Sequence, residues 1–265
     1  MDDLGVLGKI AEKTAARVAR EKQKHPVEWL RAQPLYDHPP LSLKKSLSSG
    51  RGIIAEVKFV SPSEGIFRSN ASPVEAARIA AAYASAGASA VSILTEPEFF
   101  GGDYSFLAGA RDSCPATPLL MKDFVVDNYQ FEVARSIGAD AVLLIAALLG
   151  PRLPEMHKAA LSLGLSVLIE VHNEAEALAA IAAGGALIGV NSRDLKTLKV
   201  DLAVARRLAP LVCLPGITAV AESGLRSRSD LDSLSPLGYQ GFLIGSSLMK
   251  RPDPGAALTE FLHAN

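Results

Sequence analysis

Glu56 and Lys58 lie two residues apart in the apolar run Ile53-Ile54-Ala55-Glu56-Val57-Lys58, which breaks at Ser61-Pro62-Ser63-Glu64-Gly65. In a strand, residues i and i+2 share a face, so both charges point one way while Ala55 and Val57 point the other. If that face lines a barrel interior, both charges are partly desolvated, and a catalytic role is the usual reason to tolerate that. A structural Glu–Lys pair at a sheet edge is the competing reading. Further along, other apolar runs end in chemistry-bearing groups: Thr95-Glu96, Lys122-Asp123, Glu170, Asn191 with Arg193, Glu222-Ser223-Gly224 and Gly245-Ser246. Ammonium groups suit protonation of a developing oxyanion, and carboxylates suit proton abstraction or the holding of a lysine.

The elements that would position these groups repeat from residue 52 onward. Strands are predicted at Gly52–Lys58, Ala88–Leu94, Pro118–Lys122, Asp140–Ile145, Leu165–Val171, Ala186–Asn191, Ile217–Glu222 and Gln240–Ile244. Most are short unbroken apolar runs, as expected of parallel strands buried on both faces. Helices are predicted between them at Pro73–Ala86, Asp127–Ile137, Pro151–Leu163, Glu174–Ala183, Asp201–Leu208, Ser227–Leu237 and Asp253–Leu262, with a helix or turn at Tyr104–Arg111. This alternation predicts an α/β chain folded as a (β/α)8 TIM barrel, in which active sites gather at the carboxyl ends of the strands. An open doubly wound sheet is the alternative, but no GxGxxG turn follows the first strand. Six of the eight predicted strands finish in, or within two residues of, a charged or amide residue, and the strand ending at Ile145 is the clear exception.

The turns Glu222-Ser223-Gly224 and Ile244-Gly245-Ser246 follow the seventh and eighth strands, the usual place for a phosphate in such barrels. Small residues let backbone N–H groups approach an anion. Phe59, Phe99, Phe100 and Phe124 fall near the same rim and include candidates for an apolar wall against an aromatic ring.

Residues 4–24 read as an amphipathic helix, with apolar positions at Leu4, Leu7, Ile10, Ala11 and Val18. Residues 25–50 read as a Pro-containing connector with a helical piece at Leu41–Leu47. The expected organisation is one barrel domain over residues 1–265, with 1–50 as an N-terminal helical extension. With 49% apolar residues the chain can bury a large core, and its net charge of −1 disfavours nucleic-acid binding. No run is long enough to span a bilayer, and the start Met1-Asp2-Asp3 lacks a basic-then-apolar signal, so a cytoplasmic location is expected. Cys114 and Cys213 form no CxxC, and the five histidines show no HxH or HExxH spacing; neither disulfides nor a metal site is expected.

Several ordered motifs then coincide. Ile54-Ala55-Glu56-Val57-Lys58 with Ser61-Pro62-Ser63, Phe99-Phe100-Gly101-Gly102, Met121-Lys122-Asp123-Phe124, Val167-Leu168-Ile169-Glu170-Val171-His172, Gly189-Val190-Asn191-Ser192-Arg193-Asp194-Leu195 and Ala221-Glu222-Ser223-Gly224 run over nearly the whole chain. In this respect the sequence resembles the indole-3-glycerol phosphate synthase family, carboxy-lyases of tryptophan biosynthesis. The resemblance implies a phosphorylated substrate, 1-(2-carboxyphenylamino)-1-deoxyribulose 5-phosphate, converted to indole-3-glycerol phosphate with loss of carbon dioxide and water, and no metal or organic cofactor. It implies that Lys122 and Lys58 divide the acid steps, Glu170 is the base, Glu56 holds a lysine, and Asn191 belongs with them. Arg193 and Ser61 would take the substrate carboxylate, Asn191 and Glu222 the sugar hydroxyls, Phe99 and Phe124 the ring, and Ser223, Gly224, Gly245 and Ser246 the phosphate. A monomer is expected, with partner enzymes of the pathway left open. The chain departs from the family pattern at Phe59-Val60, at Glu64 where Lys is frequent, and at Ser192 where Asn is usual.

Overall fold

The computed structural model describes residues 5–48 and 50–263. Its strands are β1 (Gly52–Val57), β2 (Val60–Ser61), β3 (Gly65–Ile66), β4 (Ala90–Leu94), β5 (Leu119–Lys122), β6 (Ala141–Ile145), β7 (Ser166–Val171), β8 (Leu187–Asn191), β9 (Thr218–Glu222) and β10 (Gly241–Ile244). Eight of them close into a parallel barrel in the order β1-β10-β9-β8-β7-β6-β5-β4. The closing register pairs Ala55 with Ile244 on one side and with Val91 on the other. The expected barrel is therefore the observed one, with each predicted strand present and trimmed by a residue or two at its ends.

Strand alternation sorts the side chains into two layers. Ile53, Ala55 and Val57 of β1, Leu119 and Met121 of β5, and Val167, Ile169 and Val171 of β7 face outward into the helix–sheet core. Ile54, Leu120, Leu143, Leu168, Leu187, Val220 and Leu243 fill the barrel interior. The same alternation turns Glu56, Lys122, Glu170 and Glu222 inward, each two residues beyond an interior apolar residue. The helix Leu43–Ser46, N-capped by the Ser42 side chain, closes the opposite end: Leu43 and Leu47 are fully buried in the interior cluster.

The first helix, α1 (Gly5–Lys24), buries Leu7, Ile10, Ala11, Thr14 and Val18, a spacing of one helical face. Leu4 lies outside the described residues. The helix is tied to the barrel by Arg17, whose guanidinium meets Asp123 Oδ1 at 2.7 Å and donates to the Tyr104 hydroxyl at 2.8 Å.

Some local features differ from the sequence expectation. The segment after β1 is folded: β2 and β3 form an antiparallel hairpin pairing Val60 with Ile66 and Ser61 with Gly65, which strong turn residues had hidden. The connector holds a further helix, Val27–Arg31. The helix expected to stop at Leu208 runs as Ala203–Val212 with Pro210 inside it, because a missing N–H in the last turns forfeits a backbone bond without preventing the helix.

Candidate active site

Five strands deliver the inward-facing groups to one cavity of about 730 Å³ at the carboxyl end of the barrel, a size that suits a small metabolite. Lys122 Nζ lies 3.2 Å from Glu170 Oε2 and 3.8 Å from Glu222 Oε2, joining β5, β7 and β9. Lys58, just past β1, reaches back to Glu56 Oε1 at 2.8 Å, as the shared face requires, and its ammonium lies 5.5 Å from the centre of the Phe67 ring. Asn191, at the end of β8, accepts a hydrogen bond from the Arg193 backbone N–H at 3.0 Å.

Two glycines are dictated by these carboxylates. A Cβ at Gly189 would come within 1.9 Å of Glu222 Oε1, and one at Gly245 within 2.5 Å of Glu56 Oε1. Ser223 has φ 64°, a left-handed conformation that costs a non-glycine residue free energy and persists where the surroundings hold it. Ser223, Gly224, Gly245 and Ser246 together line the cavity wall across from Ile145 and Phe124.

Charge is distributed unevenly among the buried groups. Burial opposes the charge on Lys122, yet Glu170, Glu222 and Glu56 outweigh it and raise its pKa, so the side chain is an ammonium. Burial would likewise raise Glu170, but Lys122, His172 and Asn191 hold its carboxyl well below the usual range. Burial and the neighbouring Glu170 charge push Glu222 up. The pair therefore separates into an ionised Glu170 and a Glu222 that retains its proton more readily.

Of the residues expected in the site, Glu56, Lys58, Ser61, Lys122, Phe124, Glu170, Asn191, Arg193, Glu222, Ser223, Gly224, Gly245 and Ser246 all line this cavity. Phe99 does not; its neighbour Phe100 does, with its ring 5.7 Å from that of Phe124. The reason is local: Glu96 caps the short helix Pro97–Phe100 by accepting from the backbone N–H groups of Glu98, Phe99 and Phe100, and consecutive helical residues diverge by about 100°. Phe59 is also no wall, being buried edge-on against Phe106 in the outer core. Two of the strand-end acids serve structure: Glu96 in that cap, and Asp123 with Arg17 and the Thr95 hydroxyl.

The sequence reading assigned no role to His172, although it stands two residues after Glu170. Its Nε2 lies 3.3 Å from Glu170 Oε1 and its Nδ1 lies 3.1 Å from Glu176 Oε2. Burial opposes its charge, but the two carboxylates outweigh it and bring the imidazolium up to about 10 from an ordinary 6.5. A raised folded-state value stabilises the fold fully below about 6.5 and loses that contribution as pH rises through about 10. The thermal midpoint of wild type is thus expected to exceed that of His172→Gln most in mildly acidic solution, with the gap closing towards pH 10, as melting curves across pH would show. A gap that widens with rising pH would contradict a charged His172. Val6, Leu7 and Ile10 of α1 also line the cavity, so the extension forms part of its roof. Among the described residues no group of three or more His, Cys, Asp or Glu is placed to hold a metal ion, and no helix is long and apolar enough to cross a membrane.

A family model described as indole-3-glycerol phosphate synthase matches residues 7–261, the whole barrel with α1. The chain belongs to the indole-3-glycerol phosphate synthase family. Membership places it among the carboxy-lyases of tryptophan biosynthesis. It is 41% identical over 265 residues to the indole-3-glycerol phosphate synthase of Carboxydothermus hydrogenoformans, covering 97% of this chain and 99% of that one. It is 43% identical over 259 residues to the Salinibacter ruber protein of the same name, covering 97% and 94%. Among solved structures it is similar to a thiamine phosphate pyrophosphorylase from Pyrococcus furiosus, with a TM-score of 0.60 at 19% identity over 83% of this chain and 96% of that one. It is also similar to a 3-hexulose-6-phosphate synthase, with a TM-score of 0.61 at 14% identity over 79% and 97%. At such identities these two carry the fold alone.

Proposed function

We propose that this member of the indole-3-glycerol phosphate synthase family closes the indole ring of 1-(2-carboxyphenylamino)-1-deoxyribulose 5-phosphate, using the residues gathered in the barrel mouth. The observation that carries the reading is the convergence of two ammonium groups and an ionised carboxylate in one cavity, with a wall of small residues opposite. The phosphate is held by Ser223, Gly224, Gly245 and Ser246, whose small side chains expose backbone N–H donors. Arg193 and the Ser61 hydroxyl meet the substrate carboxylate; the planar guanidinium can pair with both of its oxygens. The ring lies against Phe124 and Phe100.

In that pose Lys122 donates to the ketone oxygen as the carboxyl-bearing ring carbon attacks the ketone carbon. The developing alkoxide is met by a preformed cation in a site largely shielded from water. Carbon dioxide then leaves with cleavage of the ring–carboxyl bond, whose electrons restore the aromatic ring. The new hydroxyl departs as water with a proton from an ammonium group, for which Lys58 is the second acid, and Glu170 takes the proton lost from the former substrate. Glu56 keeps Lys58 aimed into the cavity. Asn191 and Glu222 bind the sugar hydroxyls; Glu222 Oε1 is buried without a hydrogen-bond partner among the described residues and is open to such a group.

Purified protein given this substrate is expected to show the fluorescence rise of an indole product, with one carbon dioxide released per turnover. A correctly folded preparation that binds the substrate and yields no indole fluorescence would overturn the reading.

A further inference from the structure

The β2–β3 hairpin carries a carboxylate into the cavity that the reaction does not use. Glu64 sits at the turn, its backbone N–H bound by the Ser61 hydroxyl at 3.2 Å. Its Oε1 accepts from Ser246 Oγ at 2.7 Å and faces Arg193 Nη2 at 3.5 Å, and its Oε2 meets Lys250 Nζ at 2.5 Å. Two of these three partners are the groups assigned above to the phosphate and the carboxylate of the substrate. Lys250 lines the same cavity and follows Ser246 by four residues, one helical turn. Burial opposes the charge on Glu64, but Lys250, Ser246 and Lys58 hold its carboxyl below the usual range, which favours the anion.

We infer that Glu64 is an internal counter-anion that occupies the anion-binding donors of the empty site, and that Lys250 is a further phosphate-binding residue released when substrate displaces it. The inference rests on the phosphate site proposed above. A phosphate and the Glu64 carboxylate cannot both take Ser246 and Lys250, because like charges at that separation repel and the donors are shared. Substrate therefore exchanges one set of charge-assisted hydrogen bonds for another, and the hairpin carrying Glu64 moves off the cavity as it does so. Before substrate arrives, the same contacts keep Arg193, Ser246 and Lys250 gathered.

Inorganic phosphate is the probe, measured by titration calorimetry on the full chain and by its competition with substrate. Glu64→Gln keeps the shape and removes the charge, and is expected to tighten phosphate binding about tenfold, with a parallel fall in the KM for substrate. In the Glu64→Gln background, adding Lys250→Met is expected to weaken phosphate about tenfold. Unchanged or weaker phosphate binding in Glu64→Gln would overturn the counter-anion, and unchanged binding on adding Lys250→Met would overturn the role of that lysine. Failure of the site assignment itself is distinct: phosphate would then bind wild type without competing with substrate. Circular dichroism of each variant confirms that the comparison is between folded proteins.

Discussion

Lys122→Ala is expected to lower indole formation by about 10³-fold or more while leaving the barrel folded. The size follows from position. Lys122 is the cation that joins three strands, 3.2 Å from Glu170 and 3.8 Å from Glu222, and no other described ammonium meets both of those carboxylates. Its removal takes away the donor proposed for the ketone oxygen and one of the two cationic groups that hold Glu170 ionised. His172 still faces the other Glu170 oxygen at 3.3 Å, so the variant does not strand a wholly unpaired buried charge. The loss should therefore fall on kcat, with a smaller change in KM, since the residues proposed to bind the phosphate and the carboxylate lie elsewhere. Steady-state fluorescence kinetics beside a thermal melt would check both halves, and near-normal turnover would remove Lys122 from the chemistry. Lys122→Met, closer in volume, separates loss of the charge from loss of packing.

Asp140→Ala is expected to cost about 3–5 kcal/mol of stability, against a total of about 5–15 kcal/mol for an ordinary domain. Asp140 is fully buried where β6 begins, at the barrel end remote from the cavity. Its Oδ2 accepts from Arg111 Nη1 at 2.6 Å and from the Leu119 backbone N–H at 2.7 Å, and its Oδ1 accepts from the Leu41 N–H at 2.7 Å. One carboxylate thus ties the connector, β5 and the Tyr104–Ser113 helix together. Truncation leaves the Arg111 guanidinium, 3% exposed, without its counter-charge and two backbone donors without acceptors. Urea unfolding of wild type and variant would measure the difference. A change below about 1 kcal/mol would show that water replaces the carboxylate, because an unsatisfied buried polar group alone costs about that much or more. Turnover per folded molecule should be nearly unchanged, which distinguishes this effect from that of Lys122.

What the sequence determined here rests on periodicities that local sterics enforce. Alternation along β1, β5, β7 and β9 places Glu56, Lys122, Glu170 and Glu222 on the interior face whatever the neighbouring strands do, and parallel strands with helical crossovers bring their carboxyl ends to one rim. The barrel and most of its site residues were legible for that reason. Tertiary structure decided which of those charges meet. Glu96 and Asp123 end strands as Glu170 does, yet the path of the chain beyond them puts one in a helix cap and the other beneath Arg17 of α1. Phe100 rather than Phe99 lines the cavity because of how that capped helix is rotated. Lys122 and Glu170 are 48 residues apart and touch only because β5, β6 and β7 pair in one register. The partners of Glu64 and His172 are set in the same way, by closure and packing across segments distant in the chain, and no short-range pattern in the residues encodes those distances.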